Sequence, residues 1–348
     1  MRLSIIVPVY NMAAEGKLNY CMDSLVGQTI TDYEIIAVND ASTDNSLEIL
    51  REYEAKYPQK VRVLTYPVNK RQGGAKNLGL SAAKGEWIGF VDSDDWVSNH
   101  MFSRLLQKAD ETGADVVGCD YLRTEKTGLE EGIPVNNNTP EQTGELNEEK
   151  YKLLLFKPGS MVIKIYRRQL FEEHKIRFPE KMFYEDNAIG ALPLLYAKHF
   201  ERVDECLYYY YQYAGSTVHT VNMDRCRDRI TAAKIYLKEC QDRGFYEKFK
   251  AEIDYKVFEL GYRNTLFSYL QAASIPKYKF VVEMQKFLKE YIPHFRENPY
   301  FTKYMDAESQ KLIRMHSKNA MTFLLYYKLL YFYRAIRYGK NGKATLER

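Results

Sequence analysis

Asp92-Ser93-Asp94-Asp95 places three carboxylates in four positions, directly after the apolar run Trp87-Ile88-Gly89-Phe90-Val91. A short buried strand that ends in clustered carboxylates delivers them where ligands bind in open α/β sheets. Asp92 and Asp94 repel each other unless a cation lies between them. Hard oxygen ligands on a short turn suit Mg²⁺ or Mn²⁺, completed by phosphate oxygens of a substrate. The plain alternative is a polar turn in which Asp95 or Ser98 caps the following helix. What surrounds the acidic turn decides between the two.

Three earlier apolar runs have the same design. Leu3–Pro8, Glu34–Val38 and Val61–Tyr66 have strand length and little polar alternation, as in a parallel sheet covered on both faces. Each ends in polar residues: Val9-Tyr10-Asn11, then Asn39 to Asp44, then the basic glycine-containing loop Asn69–Ala75. Helical patterns follow over Leu18–Val26, Ser46–Tyr57 and from the basic loop to Ala83. Four strand–helix units in about 95 residues predict an α/β fold with an open, mostly parallel, Rossmann-like sheet. Strand ends of such a sheet share one edge, so Asn11, Asp40, Arg71, Asp92 and Asp94 are expected to converge on one crevice.

Further on, the pattern predicts a helix over 101–109 and a strand over 115–122. A polar surface excursion with three consecutive Asn covers 124–149. Another strand is expected over 161–166, a short helix over 167–174, a helix from Phe183 through Leu195, and a tyrosine-rich strand over 206–213. From about Met223 the pattern is helical.

Composition narrows the class. The 348 residues are 45% hydrophobic and 28% charged, as in a globular protein of one large or two smaller domains. Five scattered Cys without a CxxC pair argue against a disulfide framework or a structural zinc site. A strand begins two residues after Met1, and no run of about 18 uncharged apolar residues occurs, so a cytoplasmic protein is expected. The net charge of +4 is concentrated late in the chain. Residues 311–343 hold eight Lys or Arg and no acidic residue, while elsewhere 42 basic residues face 46 acidic ones. Within that stretch Leu325, Leu329, Phe332 and Ile336 form one helical stripe. This suits either a helix lying in the membrane interface, at the inner face of the cell membrane, or one packed on the domain or on another subunit, which leaves a homo-oligomer open. No motif for nucleic acid is present.

Pro8-Val9-Tyr10-Asn11, Asn39 to Asp44, Gly74-Ala75-Lys76-Asn77-Leu78-Gly79 and Asp92 to Asp95, in this order, resemble the family 2 glycosyltransferases with the GT-A fold. These include bacterial enzymes of capsule, exopolysaccharide and teichoic-acid decoration. The resemblance covers roughly residues 1–220 and leaves 221–348 as a helical region that associates with membrane or subunits. It implies a UDP-sugar donor, an Mg²⁺ or Mn²⁺ ion, inversion at the anomeric carbon, and a glycan or lipid-linked glycan acceptor. Carried over, Pro8, Val9, Tyr10 and Asn11 line the nucleotide site, with Tyr10 against the uracil ring. Asp40 bonds the base, and Arg71 reaches the uridine, with Gly74 and Asn77 behind it. Asp92 and Ser93 face the ribose or the metal, and Asp94 binds the metal. The family's catalytic base falls on Glu185-Asp186, of which Asp186 is the expected base. Ser216 corresponds to a segment that contacts the diphosphate, and His219 to a late metal ligand. Relatives often carry Arg where Gln212 stands, which shifts phosphate binding to Lys70, Arg71 or Arg202. The same substitution keeps a second reading in view, a nucleotide-sugar-binding subunit without catalysis. A dinucleotide-dependent oxidoreductase is disfavoured, because no GxGxxG follows the first strand.

Overall fold

A computed structural model describes residues 1–126, 128, 130–212 and 221–338. The chain divides into two compact units, Met1–His219 and Thr220–Arg348.

In the first unit the strands are β1 (Leu3–Val9), β2 (Tyr33–Asn39), β3 (Val61–Thr65), β4 (Trp87–Phe90), β5 (Trp96–Val97), β6 (Val116–Thr124), β7 (Ile133–Val135), β8 (Gly144–Glu145), β9 (Lys164–Arg167) and β10 (His199–Tyr211). Helices α1 (Lys17–Val26), α2 (Ser46–Lys56), α3 (Arg71–Ala82) and α4 (Met101–Thr112) follow the early strands. Shorter ones come later: α5 (Glu148–Phe156), α6 (Gln169–Glu172), α7 (Glu185–Ile189) and α8 (Leu192–Tyr196). One sheet runs β3-β2-β1-β4-β9-β6-β10-β5, with β7 on β6 and β8 on β10.

Every residue of β1, β2 and β4 is buried, which is why these runs lack alternation. β1 pairs in parallel with β2 on one side and β4 on the other, and β2 with β3. The parallel half therefore follows the expected pattern. Past β4 the sheet turns mixed, because β9 is antiparallel to both β4 and β6. Truncating a fully buried strand residue such as Ile6 costs about 2–5 kcal/mol. Ile6 also explains Gly79: a Cβ there would sit 2.4 Å from Ile6 Cγ2, so glycine lets α3 press onto β1.

Three local expectations are corrected. The stretch 71–75 is the first turn of α3 rather than loop. The helix expected from Phe183 through Leu195 is two short helices, broken at Gly190-Ala191, with Pro193 in the first turn of α8, where it lacks an N–H to continue the ladder. The polar excursion is partly interior. Asn137 and Asn138 are buried, with the Asn137 backbone N–H donating to Asp120 Oδ1 and Asn138 Nδ2 to Gln142 Oε1.

The second unit is helical: α9 (Met223–Asp242), α10 (Phe245–Lys248), α11 (Lys250–Val257), α12 (Thr265–Ala272), α13 (Tyr278–Tyr291), α14 (Pro299–Tyr304), α15 (Ala307–Lys318) and α16 (Ala320–Tyr338). A π-helical turn, Phe258–Asn264, joins α11 to α12. Its core is aromatic, with Phe258 packed on Tyr255, Tyr262, Phe295 and Phe301. Many of the thirty tyrosines are thus spent on packing. Among the described residues no helix is long and apolar enough to cross a membrane.

Candidate active site

Strand register brings the polar ends together. Val9 lies opposite Asn39, Asn39 opposite Thr65, and Ile6 opposite Phe90. Tyr10, Asp40, Tyr66 and Asp92 therefore leave the sheet within about two residues of one level. Asn11, Ala41 and Arg71 adopt left-handed φ of 53°, 58° and 61° just past these strands, and Tyr184 one of 64° just before α7. Such conformations in residues with a Cβ persist only where the surroundings hold them, and they concentrate at functional edges.

The first two strand ends are clipped to each other. The Asn11 N–H donates to Ser42 Oγ (3.1 Å), and the Thr43 N–H to Asn11 Oδ1 (2.8 Å). Pro8 and Val9 are buried strand residues, and the Val9 carbonyl accepts the Asp40 N–H. They set the direction in which Tyr10 leaves the sheet, 46% exposed. Asp40 is buried. Its Oδ1 accepts the Lys70 N–H at 2.7 Å, whereas Oδ2 is buried and has no hydrogen-bond partner among the described residues. Burial raises the Asp40 pKa, against the pull of the Lys70 and Arg71 amides and the Arg71 charge. An orphaned acceptor of this kind costs about 1–3 kcal/mol unless a ligand donor meets it.

The acidic turn is built the same way. Asp95 does not cap a helix. Its Oδ2 accepts the Tyr208 hydroxyl (2.6 Å) and its Oδ1 the Tyr211 N–H (2.8 Å), so it ties the turn to β10. Ser93 is buried in the turn. Asp92 Oδ1 is buried and, among the described residues, unpartnered. Burial pushes the Asp92 pKa up to about 6; Lys76 pulls it back, while Asp94 and Asp186 push with burial. A carboxylate pair that raises its own cost of ionisation is relieved by a hard divalent cation, so Asp92 and Asp94 fit such an ion. Among the described residues no three His, Cys, Asp or Glu side chains form a ready-made cage, so further ligands would come from elsewhere.

Lys76 links the acidic turn to α7. Its ammonium is buried and lies 2.8 Å from Glu185 Oε1. Burial works against the charge, but Glu185, Asp92 and Asp186 outweigh it and hold the lysine pKa above its ordinary value. The two residues of the acidic pair are placed differently. Glu185 is interior and spent on Lys76, while Asp186 is exposed, with Oδ1 accepting from Asn187 N and Nδ2. Asn77 also has a different place: its amide donates to the Phe178 carbonyl and accepts the Phe178 N–H, clamping the approach to α7. Gly74 lies within α3, with a Cβ position only 2.4 Å from Lys70 Cβ. Arg71 lays its guanidinium 3.9 Å over the Phe183 ring, and Lys70 Nζ lies 3.3 Å from Glu180 Oε2. Both keep the basic loop against the segment before α7. Arg202 is ion-paired with Asp120 at 2.8 Å, in the body of the sheet, and cannot take over phosphate binding. Ser216, Thr217 and His219 lie outside the described residues.

Sequence reasoning missed Lys76 as the charge at the centre and Tyr208 as the anchor of Asp95. The one signal for Lys76 was its place in a glycine-rich helix too short of apolar residues to be buried otherwise. Nothing in the sequence pairs Tyr208 with a residue 113 positions earlier.

The model of Glycosyl transferase family 2 matches residues 4–175. The chain is 36% identical over 214 residues to the uncharacterized glycosyltransferase EpsJ of Bacillus subtilis, a match spanning 60% of this chain and 60% of that protein. It is 30% identical over 285 residues to glycosyltransferase GlyG of Streptococcus pneumoniae, covering 77% of this chain and 88% of GlyG. The chain thus spans less than two thirds of EpsJ and most of GlyG. Among solved structures, residues 1–349 of Staphylococcus aureus TarS in complex with UDP-GlcNAc superpose with a TM-score of 0.66 at 21% identity, over 92% of each chain. The shared fold is the GT-A arrangement expected from the four motifs. With the family model over the sheet edge and a relative matched along most of its length, the chain belongs to glycosyl transferase family 2.

Proposed function

We propose that the chain is a metal-dependent, inverting glycosyltransferase that moves a hexosyl or N-acetylhexosaminyl group from a UDP-sugar to a hydroxyl of a surface-glycan acceptor. The observation that carries this reading is the pair of orphaned acceptors on one sheet edge, Asp40 Oδ2 and Asp92 Oδ1. Uracil offers an imide N–H, which suits Asp40, and exposed Tyr10 offers its ring for stacking. UDP-GlcNAc bound to the similarly folded TarS supports a uridine nucleotide here. A Mg²⁺ or Mn²⁺ ion held by Asp94 and Asp92 would offset the negative charge that builds on the leaving diphosphate.

The residues divide the work. Asp186, exposed at the start of α7, takes the proton of the acceptor hydroxyl as its oxygen attacks the anomeric carbon. The bond from that carbon to the diphosphate oxygen breaks on the opposite face, and its electron pair leaves with UDP. The Lys76–Glu185 pair positions Asp186 by fixing the first turn of α7. Residues 1–220 would form the catalytic domain, and 221–348 the region that meets acceptor, membrane or subunit. The five unpaired thiols fit a reducing, cytoplasmic compartment.

A thermal-shift screen of UDP, GDP, CMP and NAD⁺, each with and without Mn²⁺, tests the site. UDP with metal at about 100 times Kd should stabilise the folded state by about 2.7 kcal/mol. Asp94→Ala and Asp40→Ala should both lose the shift. Equal shifts with all four nucleotides, or none, would remove this reading.

A further inference from the structure

Helix α16 presents two faces of opposite character. Ala320, Phe323, Leu324 and Tyr327 are buried within the second unit. Opposite them Met321, Leu325, Leu329, Phe332 and Ile336 are 45, 58, 68, 67 and 70% exposed. With 3.6 residues per turn, these five fall within an arc of about 80° and form a row about 22 Å long. One exposed leucine needs no explanation, but a continuous apolar row marks a contact surface.

The charge beside the row selects its partner. α16 contains no Asp or Glu, and Lys328 and Arg337 border the stripe. On α15, exposed Lys311, Arg314 and Lys318 recur at helical spacing, and Lys311 Nζ donates to the Tyr326 hydroxyl at 3.0 Å, which sets this basic row beside α16. Glu308, on α15, is taken by Arg334. Exposed Tyr333 has its apolar ring beside the stripe and its hydroxyl bonded to Arg337, the two-sided chemistry of a headgroup boundary. A second copy laid on the stripe would bring these positive charges against their own counterparts, with no acid to answer them. An anionic lipid surface answers both the apolar row and the charge.

We infer that α16 is a monotopic membrane contact, lying in the plane of an anionic bilayer with Met321, Leu325, Leu329, Phe332 and Ile336 in the acyl boundary and the basic row at the headgroups. This does not rest on the proposed transfer reaction, and its test reads no activity.

The full chain is sedimented with vesicles of phosphatidylcholine alone or with about 30% phosphatidylglycerol, since anionic lipid is worth about fivefold in partitioning per nearby basic residue. Binding is expected only with phosphatidylglycerol and should weaken at ~0.5 M salt. The double variant Leu329→Glu/Phe332→Glu should reduce partitioning by at least about tenfold. Lys311→Gln/Arg314→Gln/Lys318→Gln should reduce it through charge alone. Both variants should keep the parent melting temperature, because every changed side chain is exposed. The milder Phe332→Ser serves if the double variant melts lower. No lipid-dependent sedimentation of the parent, sedimentation indifferent to the stripe variants, or a stripe-dependent dimer in light scattering without vesicle binding would each overturn the assignment.

Discussion

The two units leave different kinds of need unmet. At the sheet edge of the first, buried carboxylate oxygens of Asp40 and Asp92 lack partners among the described residues. In the second, the buried His316 is satisfied at both nitrogens: the Val281 carbonyl can only accept, so Nε2 donates to it (2.9 Å) and Nδ1 accepts from the Tyr262 hydroxyl (2.7 Å). On its outside the second unit leaves an apolar row uncovered, on α16. Unsatisfied polarity inside a cleft points to a small ligand with donors and charge. Unsatisfied apolar area outside points to a surface.

The contrast can be broken most sharply at Asp186. Asp186→Asn should lower turnover by about 10²–10⁴-fold while keeping the UDP-dependent thermal shift and the melting temperature. Turnover at the parent rate would show that the exposed carboxylate is not the base. Next is Lys76→Met, which strands Glu185 as a buried charge. A loss of about 3–5 kcal/mol is expected in urea unfolding, and Lys76→Met/Glu185→Leu should recover most of it. If the single variant is as stable as the parent, the link between α3 and α7 is not an ion pair that matters. Third is the satisfied histidine. Burial lowers His316 from 6.5 to about 4, so the unfolded chain binds its proton first. The stability of this region is full above about pH 6.5 and falls by about 3 kcal/mol as the pH drops to about 4. Amide exchange over 309–324 at pH 7 and pH 5 reads this, and His316→Gln should flatten it. The smallest effect is Tyr208→Phe, which leaves Asp95 Oδ2 without its donor at a cost of about 1–3 kcal/mol.

What the sequence made legible follows from period and position. The apolar runs of β1, β2 and β4 read as strands covered on both faces, and the shared direction of parallel strands brought Tyr10, Asp40 and Asp92 to one edge. Partners contributed from afar stayed out of sight. Glu185 stood beside the expected base, but Lys76, 109 residues earlier, takes it inside. Asp95 resembled a cap because capping is local, whereas its actual donors come from β10. Asn77 carried a family motif, yet its spacing says nothing about Phe178. In the second unit the α16 stripe was visible in its spacing, but which face it would turn outward depends on the packing of Phe323 and Tyr327.

The anchoring of Asp95 by Tyr208 also sets an order in time. Chains elongate at about 5–20 residues per second, and the anchor lies 113 residues downstream. The acidic turn therefore waits on the order of ten seconds during synthesis before it can take its working shape. For part of that interval β4 also has an open edge, because β9 is made 77 residues after β4 begins. A nascent chain in this state exposes a strand template to its neighbours on the polysome. Fewer crowded ribosomes leave fewer such neighbours and should raise the yield of correctly folded protein.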